Sequence, residues 1–219
     1  MGVRPYQRRR RAPVLAVVAA LAALGVFTWV VVLSNAAGES GVSACPPPVG
    51  LPAPGQVLDR DALDDVAPAP PSAVRVLVRN GGGQRGQANL VAAQLGDLGF
   101  AEAAPPDNDP VYPEGDMECV GQLRFGEAGR AGAATLALLL PCTELVHDDR
   151  PDDSVEVAIG TGFGDVNTGR AARDALDELA APGGGTDGSG NTAHADPNTP
   201  AGPPAVDTAV LKAARDVNC

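Results

Sequence analysis

The sequence predicts a small α/β domain, with helices packed on a mixed sheet, preceded by one transmembrane helix. Three observations lead to this prediction. Residues 14–33 form a run without a charged side chain. A strand pattern, a glycine-rich turn and an amphipathic helix pattern follow one another over residues 74–100. Further short apolar stretches then alternate between strand and helix periodicity, which is typical of a sheet covered by helices.

Residues 14–33 are long enough to cross the roughly 30 Å apolar core of a bilayer as a helix. Five arginines precede this run, whereas all 27 acidic residues follow it. The positive-inside rule therefore predicts a cytoplasmic basic tail over residues 1–13, a single span of the plasma (inner) membrane and an extracytoplasmic remainder. Two alternatives are signal cleavage near Ser34-Asn35-Ala36 and a lipoprotein box at Val42–Cys45. The length of the apolar run and the polar residues before Cys45 disfavour them.

The part beyond the predicted span is strongly acidic. It carries 11 basic against 27 acidic residues, a net charge of −16, so we expect no nucleic-acid partner, because phosphate binding needs clustered cations. The chain also has 27 Gly and 21 Pro but only 3% aromatic residues. We therefore expect a Pro/Gly-rich stalk over residues 34–72 and a flexible linker over residues 182–204.

The predicted core covers residues 73–181. Alternating valines over residues 74–78 predict a strand with one buried face, and the glycines of Asn80–Gly83 end it. Apolar residues at helical spacing over residues 88–98 predict a helix with Gly99 at its C-cap. Further predicted strands cover residues 101–104, 122–125, 144–147 and 154–160, with the third beside the fourth, and further predicted helices cover residues 129–140, 170–180 and 206–217.

All four cysteines lie beyond the predicted span, on the oxidising side of the membrane. Their even number predicts two disulfides, and the absence of a CxxC pair disfavours zinc or thioredoxin-like chemistry. Of the three possible connectivities we favour Cys119–Cys142, because Cys119 precedes the strand at 122 and Cys142 ends the helix that returns antiparallel to it. Cys45 would then pair with Cys219 and tether the C-terminal helix of residues 205–219.

The glycine-rich turn is the candidate binding region. Its GxGxxG spacing is found in dinucleotide-binding proteins, but no ribose-binding acid follows at the end of a second strand, so turn geometry is the favoured interpretation. Free backbone amides at the helix N-terminus still offer a contact surface. The predicted binding residues are Arg79, Asn80, Gly81, Gly82, Gly83, Arg85 and Gly86.

The other residue patterns give little indication of metal binding or catalysis. The acidic stretch around His147–Asp149 and Asp152–Asp153 lacks EF-hand spacing and is predicted to be a solvated turn, so we expect no metal and no cofactor. The sequence has no GxSxG motif and few aromatic residues with which to build a sugar-binding cleft. We therefore predict no catalytic residue and no enzymatic activity. The alternatives are a cell-wall polymer hydrolase or transferase using acidic residues, and a purely structural spacer.

Residues 74–100 resemble the opening of the LytR C-terminal domain family, an alternating strand, Asn-Gly-x-Gly-x-x-Gly-x-Ala, and a helix that ends in Gly-Phe. Asn80, Gly81, Gly83, Gly86 and Ala88 occupy the matching places. The resemblance continues through residues 121–126 to the strand that ends at residue 160. It implies a non-catalytic extracytoplasmic α/β domain that helps to maintain the cell envelope, with an envelope protein or wall polymer as partner. The arginine-rich composition, with one lysine, is similar to that of actinobacterial proteins.

Overall fold

The computed structural model describes residues 12–38, 44–46, 48, 50–166, 169–181, 206–217 and 219. The chain divides into two compact units, Met1–Ser40 and Gly41–Cys219. The predicted linker over residues 182–204 lies outside the described residues.

The described part of the first unit is one helix, α1 (Ala12–Gly38), which includes the predicted span over residues 14–33. Its described side chains, at residues 15–30, carry no charge and are almost all exposed. Within the part of the chain that the structure describes, no helix meets the combined requirements of length and apolarity for crossing a membrane. Insertion of α1 into a membrane stays a prediction.

In its described residues, the second unit contains a seven-stranded sheet and four α-helices. Its strands are β1 (Gln56–Leu58), β2 (Arg75–Asn80), β3 (Ala101–Glu102), β4 (Asp107–Asn108), β5 (Gly121–Phe125), β6 (Glu144–His147) and β7 (Val155–Ile159). Its helices are α2 (Gln87–Asp97), α3 (Arg130–Leu139), α4 (Arg170–Ala180) and α5 (Thr208–Arg215).

The sheet is mixed, as predicted, with strand order β1-β6-β5-β7-β2-β3 and with β4 also paired to β2. The expected pairing of β6 with β7 is wrong, because β5 lies between them. The β5–α3–β6 segment is a parallel crossover that places β6 beside β5, whereas β7 pairs antiparallel with the other edge of β5.

The two faces of the sheet differ in chemistry. One face, the apolar face, carries side chains such as Val76, Leu123 and Val157, which pack with α2, α3, α4 and α5 in a single core. The opposite face, the polar face, carries alternate residues of the same strands, among them Arg124 and Glu156. Segment 108–119 packs on the polar face, which explains why β5 and β7 are buried along their whole length.

The helices confirm the predicted periodicities. α2 buries Ala88, Val91 and Leu95, and Gly99 follows it in the left-handed region with φ of 90°. α5 packs against α4 and α3, with Ala214 buried. The terminal helix therefore docks on the domain as predicted.

The C-terminal part of the predicted stalk belongs to the folded unit instead. Within residues 50–72, β1 pairs antiparallel with β6, and Leu63 is buried in the apolar core. Ala69 makes two hydrogen bonds to α3. Its N–H donates to the Ala131 carbonyl at 3.1 Å, and its carbonyl accepts from Thr135 Oγ1 at 2.6 Å. A Pro/Gly-rich composition indicates few regular elements, but the scattered apolar residues here suffice to pack this segment on the core.

Candidate functional site

An open cleft of about 470 Å³ lies at the C-terminal end of β2. The loop after β2 and the first turn of α2 form one wall, and segment 106–115 forms the other. Four of the predicted binding residues line this cleft, namely Asn80, Gly83, Arg85 and Gly86. The opposite wall adds residues that the sequence did not single out, namely Asp107, Asn108 and Glu114.

Asn80 is the polar residue at the base of the cleft, and it is only 8% exposed. Its Nδ2 donates to the Gln84 carbonyl at 2.9 Å, which fixes the orientation of the amide. Its Oδ1 has no hydrogen-bond partner among the described residues. Oδ1 is itself buried, so its lack of a partner is a local free-energy cost of folding.

Two glycines of the loop hold the cleft wall in place. Gly81 N–H donates to the Ile159 carbonyl at 2.9 Å, and Met117 N–H donates to the Gly81 carbonyl at 3.0 Å. A Cβ on Gly82 would lie 2.6 Å from the Gly160 carbonyl carbon, so only glycine fits there. Gly81 and Gly82 therefore anchor the loop to the neighbouring backbone and do not line the cleft.

The start of α2 also faces the cleft. Gly86 is the N-cap residue with φ of 78°, and it makes no side-chain capping bond. Ala88 and Asn89, in the first helical turn, line the cleft. The Gln87 N–H donates to the Gln84 carbonyl at 3.3 Å, so the backbone donors that this end of α2 offers are those of Ala88 and Asn89.

Arg79 does not join Arg85 at the cleft, contrary to the shared contact region that we expected. Neighbouring strand residues point to opposite faces of a sheet, so Asn80 lies on the apolar face and Arg79 on the polar face. The Arg79 guanidinium lies 3.7 Å from Glu156 and 3.8 Å from Asp107. Its position indicates a structural role at the end of the polar face.

A buried network of charged side chains on the polar face was missed from the sequence. Arg124, 1% exposed, donates to both carboxylate oxygens of Asp109 at 3.1 and 2.8 Å and to Glu156 Oε1 at 2.8 Å. Its Nε donates to Gln122, whose own amide donates to Glu144 at 2.6 Å. Burial alone would lower the pKa of Arg124, but the partners Asp109 and Glu156 raise it above its ordinary value.

This network supports the cleft from beneath. Asp109 immediately follows the cleft residues 107–108, and its N–H donates to the Asn80 carbonyl at 2.9 Å. The Arg124 guanidinium also lies 5.9 Å from the ring centre of Tyr112, whose hydroxyl donates to the Pro46 carbonyl at 2.7 Å. Burial raises the pKa of Tyr112. Alternating polar residues in β5 and β7 were the available signal, but such a pattern usually indicates a solvent-facing surface.

The acidic stretch over residues 147–153 is folded into local contacts. Arg150 Nη2 donates to Asp148 Oδ2 at 2.6 Å, and Asp152 accepts from the hydroxyl and the backbone N–H of Ser154. Across the described ranges, no group of three or more His, Cys, Asp or Glu side chains is placed to hold a metal ion.

The four cysteines form two disulfides, but the expected pairing is wrong. Cys45 is bonded to Cys119, and Cys142 to Cys219. Cys119 packs on the polar face with Met117 and Ala158, whereas Cys142 follows α3, which packs on the apolar face. The antiparallel direction of strand and helix indicates only the end of the sheet at which each cysteine lies. Their location on opposite faces decides the pairing.

The fold and the cleft define the class: a disulfide-bonded α/β domain in which a glycine-rich loop forms one wall of a cleft. Residues 73–163 match the family described as LytR cell envelope-related transcriptional attenuator. The chain is 41% identical over 186 residues to the cell envelope integrity protein Cei of Mycobacterium tuberculosis, covering 81% of this chain and 82% of that protein. The chain therefore belongs to the LytR C-terminal domain family and is related to Cei along most of its length, which confirms the predicted family.

A solved structure extends the comparison. The soluble domain of a conserved hypothetical secreted protein from Mycobacterium marinum is 35% identical, with a TM-score of 0.61. The match covers 76% of this chain and 99% of that domain. These relationships support an envelope-related role for the chain.

Proposed function

We propose that this protein is a membrane-anchored extracytoplasmic binding or scaffold protein that helps to maintain cell envelope integrity without catalysing a reaction. In this proposal residues 1–13 lie in the cytoplasm, residues 14–33 of α1 cross the plasma membrane and the α/β unit lies outside. The arginines before α1 support this orientation. The two disulfides support an oxidising compartment for the second unit.

The observation that carries the proposal is the cleft between the β2–α2 loop and segment 106–115. It combines exposed groups of both hydrogen-bonding types, with Arg85 as donor and Glu114 and Asp107 as acceptors. Backbone hydrogen bonds of Gly81 and the close backbone contact at Gly82 hold one wall, and the Arg124–Asp109 pair holds the other. A site that is rigid before binding loses little conformational entropy when a partner docks. We expect the partner to be an envelope protein or a wall polymer.

The test is complementation of a strain that lacks this protein. The variant Arg85→Ala with Glu114→Ala removes one cation and one anion from the cleft and leaves the net charge unchanged. We expect it to be produced at normal levels with both disulfides formed, and to fail to restore the permeability barrier in a dye-uptake assay. Crosslinking in intact cells should show a matching loss of partners.

The matched control is Arg170→Ala with Asp174→Ala, which removes one cation and one anion from exposed positions on α4. We expect this control to restore the barrier fully. Complementation by the cleft variant as good as that by the control would contradict the proposal.

A further inference from the structure

A second cavity of about 320 Å³ adjoins the cleft. This groove lies between α2 and the edge of the sheet, and Asn89 and Pro106 line both cavities. Its walls include Val76 and Leu95, which are 4% and 1% exposed, and Phe100, which is 6% exposed. The groove therefore reaches down to the apolar core at the point where the polar cleft ends.

Local sequence explains why this groove is open. β3 and β4 contain two residues each, and Pro105 and Pro106 stand between them. Proline has no N–H with which to continue pairing, so the sheet edge is interrupted beside β2. The facing side of α2 carries small residues, namely Ala92, Ala93 and Gly96, and a Cβ built on Gly96 would meet no atom within 4 Å.

The two cavities differ in polarity. Asn80, Arg85, Asp107, Asn108 and Glu114 line the cleft. By contrast, alanine, valine, leucine and phenylalanine predominate in the groove, and Glu102 is the one charged residue among its described lining residues. A ligand that fills both cavities must therefore have a polar end and an apolar end.

The charges in the cleft restrict the polar end further. Arg85 and Glu114 are oppositely charged, and Asp107 lies 3.8 Å from the Arg79 guanidinium, so the charges around the cleft are balanced. Ala88 and Asn89, in the first turn of α2, also line the cleft and bring backbone N–H donors to it. Balanced charges with both donors and acceptors favour a neutral group with several hydroxyls, because a hydroxyl both donates and accepts hydrogen bonds, and they give an anionic group no excess positive charge to bind.

We propose that the cleft and the groove together bind a single-chain amphiphile with an uncharged, hydroxyl-rich head, such as a glycolipid. The head occupies the cleft, and the alkyl arm passes Asn89 and Pro106 and lies along α2 beside Gly96. This inference rests on the proposed function because it uses the same cleft, and it names a class of ligand for it.

The test uses the full chain in isolated cell envelopes and two photoreactive probes. Both probes carry the same dodecyl arm with a terminal diazirine; one has a maltoside head and the other a sulfate head. After irradiation, mass spectrometry locates the adducts. We expect the maltoside probe to label residues 92–104 and the sulfate probe to label them far less. Unlabelled dodecyl maltoside should compete, and free maltose at the same concentration should not.

The variant Gly96→Leu places a side chain in the groove without touching the cleft. We expect it to reduce labelling of residues 92–104 by at least about tenfold, because each methylene group that is kept out of the groove weakens binding roughly fourfold. The matched control is Gly164→Leu, since Gly164 also has open space around its Cβ but lines neither cavity. Labelling of this control should equal that of the wild type.

Three results would overturn the inference. They are equal labelling by the sulfate probe, equal labelling of the Gly96→Leu variant, and competition by free maltose as strong as that by the amphiphile. Complementation separates this failure from failure of the proposed function. One outcome is that the variant with Arg85→Ala and Glu114→Ala fails to restore the permeability barrier while the wild type shows no labelling of the groove. In that case the proposed function stands and the proposal of an amphiphilic ligand does not.

Discussion

Arg124 and Asp109 form a doubly hydrogen-bonded ion pair beneath the cleft, with Nη1–Oδ1 and Nη2–Oδ2 distances of 3.1 and 2.8 Å. The two side chains are 1% and 0% exposed. Arg124 stands on the central strand β5, whereas Asp109 belongs to the segment that forms one wall of the cleft. The pair therefore fixes the distance between that wall and the sheet.

Replacing Asp109 by alanine should lower the free energy of unfolding by about 3–5 kcal/mol, because it leaves Arg124 buried with an incomplete set of acceptors. Chemical denaturation followed by circular dichroism measures the change. The control is Asp107→Ala, two residues away. The Asp107 side chain is 74% exposed and lies 3.8 Å from Arg79, so its loss should cost no more than about 1 kcal/mol. Equal effects of the two substitutions would contradict the role given to the buried pair.

Leu63 tests whether residues 50–72 belong to the folded domain. The side chain is 2% exposed and packs in the apolar core, so Leu63→Ala should destabilise the protein by about 2–5 kcal/mol. Leu51, 44% exposed, is the control, and its replacement by alanine should change stability by less than about 0.5 kcal/mol. Thermal unfolding of both variants measures this difference in stability. A Leu63 variant as stable as the wild type would restore the stalk interpretation for this segment.

The Cys142–Cys219 bond is expected to hold α5 on the domain. Replacing both cysteines by serine should cost roughly 2–4 kcal/mol, because residues 77 apart are no longer linked in the unfolded chain. Hydrogen exchange should then rise mainly in α5. Replacing Cys45 and Cys119, which are 74 residues apart, should cost a similar amount but raise exchange in segment 108–119. Peptide mapping without reduction checks the connectivity directly, and a linked Cys119–Cys142 peptide would refute it.

Local patterns in the sequence predicted most of the fold. The alternation that ends at Val78, the glycine turn and the stripe of α2 each depend on residues within one turn or strand of one another. Asn80, Gly83, Arg85 and Gly86 lie together at the cleft for the same short-range reason, and their role in binding stays a prediction.

Long-range relations could not be predicted in the same way. Arg124 looks like a solvent-facing strand residue until Asp109 covers it, and nothing near either residue in the sequence indicates this contact. The cysteine pairing failed for a related reason, because a sequence shows at which end of a strand a cysteine lies but not which face of the sheet it approaches. Arg79 was misplaced because loop proximity was given more weight than strand alternation.

Two glycines of similar appearance in the sequence should respond oppositely to alanine. A Cβ on Gly82 would lie 2.6 Å from the Gly160 carbonyl carbon and 2.7 Å from the Thr161 nitrogen, so the glycine loop or the backbone that follows β7 must move. We expect Gly82→Ala to cost about 1–3 kcal/mol, since backbone atoms yield less readily than side chains. Gly96 lies inside α2 with open space around it, so Gly96→Ala should stabilise by about 0.5–1 kcal/mol through helix propensity.

Differential scanning calorimetry of the two variants measures this contrast. The Gly82 variant should melt below the wild type and the Gly96 variant above it. Because Gly82 anchors the loop that forms the cleft wall, its variant should also lose complementation in the permeability assay at temperatures where it is still folded. A Gly82 variant that melts with the wild type would show that the loop is not held by this backbone contact, and the rigidity of the cleft would then need another cause.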